Sequence, residues 1–280
     1  MSGWIDHTIW WHVYPLGFAG APIRPTAEER ALSPRLDRLL PWLDYLIELG
    51  ANGLALGPIF QSESHGYDTV DFFRIDPRLG DDATFDRLAR ACQKRGIHLM
   101  LDGVFNHVGT GHPLFQAALA GNDPDAEAMF RIHRTETGVH YDDFEGHQAL
   151  PALNHDSPVV VNRVADVMCH WLRRGASAWR LDAAYAVKPE FWARVLPRVR
   201  AEFPDVWIVG EVIHGDYPDI VRRSGMDSVT QYELWKAAWS SLLDGNFFEL
   251  DWCLKRHNNF LASFVPMTFI GNHDVTRIAS

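Results

Sequence analysis

The sequence is poor in cysteine: Cys92, Cys169 and Cys253 are an odd set at wide, irregular spacings, with no CxxC pair. Such a set excludes a disulfide framework and a cysteine-based zinc site, and it predicts buried reduced thiols in a cytoplasmic protein. No run approaches 18 apolar residues, so no membrane-spanning helix is expected. The first residues, MSGWIDHTIWWHVYPLG, have neither the basic start nor the unbroken apolar middle of a secretory leader. A basic block is missing too, since 36 acidic residues stand against 26 Lys and Arg, for a net charge of −10. That balance argues against non-specific binding to nucleic acid or an anionic membrane surface and points to a neutral, polar partner.

Apolar residues are plentiful: they make up 47% of 280 residues, enough for one large core. Eleven tryptophans and fourteen histidines also stand out. Flat aromatic faces serve both cores and the apolar C–H faces of sugars, and composition leaves the two uses open. For Trp10, Trp11, Trp42, Trp171 and Trp207 core packing is the expectation. His12, His112, His133, His140, His147 and His155 read as loop or surface histidines.

Short β-rich runs alternate with helical patterns, which is the signal of βα units around a parallel sheet. The expected strands are Ile9–Tyr14, Gly53–Pro58, Ile97–Asp102, Ser177–Asp182, Val206–Glu211, Asp227–Thr230 and Met267–Asn272. Helical spacing predicts helices over Leu36–Ile47, Thr84–Arg95, Pro158–Arg174, Pro189–Phe203 and Gln231–Leu243. About 75 residues separate the third strand from the fourth, too many for a simple crossover. Residues 108–157, rich in Gly, His, Asp and Pro, therefore read as a small inserted domain, dividing the barrel into residues 1–107 and 158–280. The fold class is α/β, a (β/α)8-type TIM barrel that is incomplete after its seventh strand. Its open first and seventh strands are expected to pair with another copy.

Polar residues collect at the C-terminal ends of these strands, where barrel active sites lie: Tyr14, Asp102, Asn106, His107, Arg180, Asp182, Glu211, Asn272, His273 and Asp274. In SAWRLDAA, alternation puts Arg180 and Asp182 on one face of a buried strand. Taken alone, they read as a structural ion pair, because an unpaired buried charge is costly. Set among carboxylates from other strands, they suit glycosidic cleavage, which needs one group to protonate the leaving oxygen and another to attack the sugar carbon. The expectation is that Arg180 keeps Asp182 ionised, while the apolar surroundings of Glu211, in VWIVGE, keep it protonated.

The segments DGVFNH (Asp102–His107), WRLDAA (Trp179–Ala184), IVGEV (Ile208–Val212) and FIGNHD (Phe269–Asp274) resemble, in order, the four signature regions of the α-amylase superfamily, glycoside hydrolase family 13. HGYDTVDFFRIDPRLG (His65–Gly80) resembles its segment after the second strand, and LPALN (Leu150–Asn154) its motif near the end of domain B. The resemblance implies Asp182 as nucleophile, Glu211 as general acid/base and Asp274 as the third carboxylate. It implies Tyr67, Asp68, His107, Arg180 and His273 as substrate-binding residues, with Asp102 and Asn106 bracing the site. Tyr232 and Trp235 are further candidates for sugar contacts. The implied activity is retaining hydrolysis of α-1,4, and in some cases α-1,6, bonds in short α-glucans, with the carboxyls about 5–5.5 Å apart. A transglycosylase would use the same residues, and a non-catalytic carbohydrate-binding relative is the alternative from another class.

Two departures bear on substrate and cofactor. Tyr185 and Ala186 stand where many α-amylases have lysine and histidine, and Ala152 stands where an aspartate often binds calcium. With Asn106 alone remaining, no family-typical calcium site and no cofactor are expected. LPALN and WRLDAA are nearest in flavour to the neopullulanase and cyclomaltodextrinase branch.

Overall fold

In the computed structural model, which describes residues 3–136 and 138–278, six short strands form a wholly parallel sheet. In chain order they are β1 (Trp10–Val13), β2 (Gly53–Leu56), β3 (His98–Gly103), β4 (Ala178–Leu181), β5 (Trp207–Gly210) and β6 (Ser228–Val229). Spatial order follows chain order, as expected when each strand returns through a helix packed on the same side of the sheet. Side-chain parity then divides the molecule. Leu54, Leu56, Leu99, Leu101, Trp179, Leu181 and Ile208 point outward and are buried in the main core. Each such side chain contributes roughly 1.5–3 kcal/mol.

The alternate residues Ala55, Met100, Ala178 and Val209 point inward and pack with Trp10, Trp207 and Met267. Trp10 and Trp207 stack at 5.9 Å across the curled sheet. The sheet is therefore a curled half-barrel with its own small inner core.

Helices cover the outer face. Helix Asp82–Lys94 starts at a reciprocal cap in which Asp81 accepts from the Thr84 N–H and Thr84 from the Asp81 N–H. Helix Pro158–Arg173 has Ser157 as N-cap and Pro158 in its first turn, and it buries Val160, Val161, Val164, Met168 and Trp171. The expected helix over Leu36–Ile47 is instead a 3-10 turn, Arg35–Leu39, followed by helix Trp42–Glu48. Pro41 lies at the break, where it has no N–H to donate. Trp42, expected in the core, is 43% exposed, packed edge-on against Phe18. A further helix, Phe248–Phe260, buries only Cys253 and Phe260, so its sequence carries little of the apolar stripe that marks a helix.

Two insertions shape the rim. Between β2 and β3 an antiparallel hairpin, Phe60–Ser62 with Thr69–Ile75, lifts Tyr67 and Asp68 on its connecting loop. Between β3 and β4 lie helices Pro113–Ala120 and Pro124–Ala128, then hairpins Ile132–Thr135/Gly138–Tyr141 and Asp143–Phe144/His147–Pro151.

The expected seventh strand, Met267–Asn272, is reduced to one parallel bridge, Thr230 with Met267. Met267 N–H donates to Val229 O at 3.0 Å, and Gln231 N–H to Met267 O at 2.9 Å. Beyond that bridge, local turn chemistry takes over, with Asp274 N–H donating to the Asn272 side chain at 2.9 Å. Among the described residues, no helix is long and apolar enough to cross a membrane.

Candidate active site

Arg180 is the centre of the rim. On β4 it shares a face with Asp182, and strand register sets it beside Asp102 on β3 and Val209 on β5. Its Nη1 donates to both oxygens of Asp102 at 2.8 Å and to Asp182 Oδ1 at 3.2 Å. Its Nη2 lies 2.8 Å from Glu211 Oε1. All four side chains are at least about nine-tenths buried. One guanidinium thus serves three carboxylates, an excess of negative charge that favours a shared proton.

The location of that proton departs from the sequence expectation. Burial pushes the Asp182 carboxyl well above its usual range, against the pull of Arg180, and the charges of Asp102 and Glu211 add to the rise. Burial also acts to raise Glu211, but Arg180, the Ala183 N–H, the Tyr232 hydroxyl and His273 outweigh it and hold Glu211 below its ordinary value. The cause is geometric. Glu211 takes the shorter Arg180 contact, accepts from Ala183 N–H at 2.9 Å and accepts from Tyr232 O–H at 2.9 Å. Apolar neighbours along β5 do not decide its charge, because its oxygens point at donors.

The Ala183 donor lies on an unusual backbone. Ala183, directly after Asp182, sits at φ +46, a left-handed conformation costing a non-glycine residue roughly 1–2 kcal/mol. The same residue donates its N–H to Glu211, so local strain sits where two carboxylates must be held.

Aromatic groups form the opposite flank. His273 stacks on Tyr67 at 5.5 Å and on Tyr14 at 5.8 Å, and meets His12 edge-on at 5.2 Å. The Tyr67 hydroxyl bonds His273 Nε2 and donates to Asp102 Oδ2 at 3.3 Å. Burial, aided by the charge on Asp102, raises the Tyr67 pKa well above the ordinary phenol value, so it stays a donor.

Most of the expected residues converge here: Tyr67, Asp102, Arg180, Asp182, Glu211 and His273. The others sit differently. Asp68 turns back on its own loop, accepting from Ser64 Oγ and from Gly66 N–H at 3.3 Å. His107 has both ring nitrogens engaged, with Tyr67 O at 2.9 Å and Asn106 Nδ2 at 3.1 Å, and Phe144 stacks on its ring. Asp274 lies at the mouth, its side chain 47% exposed and its Oδ1 3.4 Å from His273 Nε2.

Two readings of histidines are overturned. His12 lies on β1 against His273, and burial, with the nearby positive charge of Arg180, pulls its pKa down to about 3. Its alternation with Trp10 on β1 and Tyr14 just after it is the signal that could have placed it. His112 is buried as the N-cap of helix Pro113–Ala120, and burial lowers its pKa to about 4.

A folded-state pKa below that of the unfolded chain means the unfolded state takes up the proton first. The stability from a neutral His112 is whole above about pH 6.5 and is lost as pH falls toward 4. The raised pKa values of Asp102 and Asp182 act in the opposite sense, so a variant comparison isolates the histidine. His112→Asn, which keeps a capping acceptor, is expected to shrink the loss of stability between pH 7 and pH 5 by about 2 kcal/mol. Urea unfolding at the two pH values measures this; equal losses in both proteins would contradict it.

Calcium does not suit the residues present. Ala152, which bridges to His107, brings a methyl group, and Asn106 directs its amide nitrogen at His107. Together they offer one side-chain oxygen to an ion that takes six to eight oxygen ligands.

Carboxylates gathered at the C-terminal ends of a parallel half-barrel define a TIM-barrel-type catalytic domain. Residues 36–280 match the family described as alpha amylase, catalytic domain, and the chain belongs to that family. A cyclomaltodextrinase of Geobacillus thermopakistaniensis is 36% identical over 254 residues, covering 84% of this chain and 43% of that protein. An intracellular maltogenic amylase of Bacillus subtilis is 35% identical over 240 residues, covering 77% of this chain and 39% of that protein. The chain therefore spans less than half the length of these curated relatives. Among solved structures, the maltose complex of the cyclic α-maltosyl-(1→6)-maltose hydrolase from Arthrobacter globiformis has a TM-score of 0.83 at 26% identity, over 98% of this chain and 68% of that one.

Proposed function

We propose that this chain carries the chemistry of a retaining glycoside hydrolase that cleaves α-1,4 bonds of short α-glucans, with α-1,6 bonds the further candidate. The observation that carries the reading is the grip of Arg180 on Asp102, Asp182 and Glu211, which presents two carboxyls from neighbouring strands to one cleft. The names of the relatives, cyclomaltodextrinase and maltogenic amylase, support an α-glucan as substrate, and the word intracellular in one of them supports a cytoplasmic setting.

In this reading the Asp182 carboxylate attacks the anomeric carbon as the glycosidic C–O bond breaks, and Glu211 gives its proton to the departing oxygen. Water then attacks the same carbon, Glu211 takes the water proton, and the ester to Asp182 breaks, so the α-configuration returns. Burial raises Asp182 while Arg180 and the donors around Glu211 hold Glu211 low, which favours the cluster proton nearer Asp182. We infer that the carboxyls titrate as a unit, and that a glycosidic oxygen near Glu211 draws the proton there as Arg180 turns to Asp182. Tyr67 and His273 form the platform for the sugar being cleaved, Asp274 closes over it from the mouth, and Asp68, Asn106 and His107 position the platform.

The test is time-resolved NMR of maltotriose digestion. Glucose and maltose are expected, with the newly formed reducing end first seen as the α-anomer. A β-anomer would overturn retention, longer oligomers would reassign the enzyme as a transferase, and an untouched substrate would favour a non-catalytic relative.

A further inference from the structure

The segment that brings His273 and Asp274 to the rim has little backbone support. Among the described residues, its last backbone bonds to the sheet are those at Met267, beside β6. His273 lies further on, in a stretch of bends rather than a strand. Side chains must therefore fix it. Asn272 Nδ2 donates to the Tyr232 hydroxyl at 2.8 Å, and the Tyr67 hydroxyl bonds His273 Nε2. Nδ1 of the same ring is buried with no hydrogen-bond partner among the described residues. Polar contacts thus hold one edge of the imidazole, and rings pack against the rest.

Two of those rings belong to β1, which forms the opposite edge of the sheet from β6. Tyr14, directly after β1, lies nearly parallel to His273, with 9° between the planes and 5.8 Å between centroids. His12 meets the same ring edge-on, at 84° and 5.2 Å. Offset-parallel and edge-on are the two arrangements that aromatic rings prefer. Tyr14 is itself anchored, its hydroxyl donating to His65 O at 2.8 Å on the loop that carries Tyr67. Burial and the nearby charge of Arg180 keep His12 neutral. It therefore enters as a ring and not as an acid or base, and it adds no repulsion to the cation beside it.

We propose that His12 and Tyr14 are positioning residues, a side-chain clasp that joins the two edges of the half-barrel and sets His273 against the sugar being cleaved. The inference rests on the hydrolase reading above. The clasp does for His273 what a ladder of backbone bonds does for a residue at a strand end. It orders the ring before substrate arrives, so the sugar does not have to order the segment itself.

The test compares ring-removing with ring-keeping variants of the full chain. His12→Leu and Tyr14→Leu fill the space without a ring, and each is expected to lower kcat/KM for maltotriose about tenfold while melting cooperatively. His12→Phe and Tyr14→Phe return a ring and should recover most of that loss. On a His273→Ala background the two leucine substitutions should each cost less than about twofold, because they act through that ring. The NMR signals of the His273 ring, assigned by their disappearance in His273→Ala, should shift in both leucine variants. Folded leucine variants within twofold of the parent, or losses undiminished on the His273→Ala background, would overturn the clasp alone. Should either leucine variant fail to fold, recovery of folding but not of activity by the phenylalanine variant would also overturn it. A parent that leaves maltotriose untouched would overturn the hydrolase reading, and this inference with it.

Discussion

Asp182→Asn is expected to abolish turnover of maltotriose, by a factor on the order of 10⁴ or more, while leaving the fold intact. The amide matches the carboxyl in size and can still accept from Arg180 Nη1, which now reaches Asp182 Oδ1 at 3.2 Å. It cannot supply the anionic oxygen that the proposed mechanism bonds to the sugar carbon, and removing an essential nucleophile costs factors of this size. The result separates the two readings of the buried pair. If Arg180 and Asp182 were only a structural ion pair, the variant would lose stability and keep its chemistry. Initial rates by product chromatography, set beside a thermal melt, distinguish the outcomes; full activity in the variant would remove Asp182 from the mechanism.

Arg180→Met is expected to be the most destabilising single change at the rim. It leaves Asp102, Asp182 and Glu211 buried around a methyl group, and stripping one partner from a buried charge cluster costs about 3–5 kcal/mol. For a domain of this size that is a fall in Tm of roughly 10 °C. Adding Asp102→Asn removes one uncompensated charge and should recover part of the loss, a coupling that a double-mutant cycle measures. An unchanged Tm for Arg180→Met would mean that Arg180 does not hold the carboxylates together.

The contrast with Arg78 shows what makes Arg180 different. Arg78 is also buried and paired, to Asp76 at 2.7 Å, but its remaining donors are taken by Ser62 and by backbone carbonyls such as Pro22 O. That cluster is closed and balanced. Arg180 faces three carboxylates in a cleft, and the imbalance is what chemistry can use.

How legible this was in the sequence depends on the kind of feature. Strand parity placed Arg180 and Asp182 on one face, and the structure keeps them there. The stripe of helix Pro158–Arg173 was equally readable, since period and caps are local properties. The helix over Leu36–Ile47 failed at Pro41, where one missing N–H outweighed the apolar spacing. Met267–Asn272 reads as a strand by composition, but a strand needs neighbours to bond, and one bridge to Thr230 is what forms.

The charge state of the site was the least legible. Which carboxylate takes Nη2 of Arg180 depends on the reach of a guanidinium fork across to the residue after β5. The left-handed turn at Ala183, the residue whose N–H serves Glu211, has no signature in a residue that is usually helical or extended. His12 was hidden by an ordinary neighbourhood on β1 and appears only when His273 comes across the curled sheet to meet it.

The proposed mechanism requires Asp182 to bond covalently to the sugar. The most direct test is to trap that ester with an α-glucosyl fluoride slowed by a second fluorine on the ring, digest the protein, and locate the added mass by tandem mass spectrometry. One adduct is expected, on the peptide containing Asp182, and it should disappear in Asp182→Asn. An adduct on Glu211, or turnover of maltotriose by a protein that never accumulates one, would contradict it.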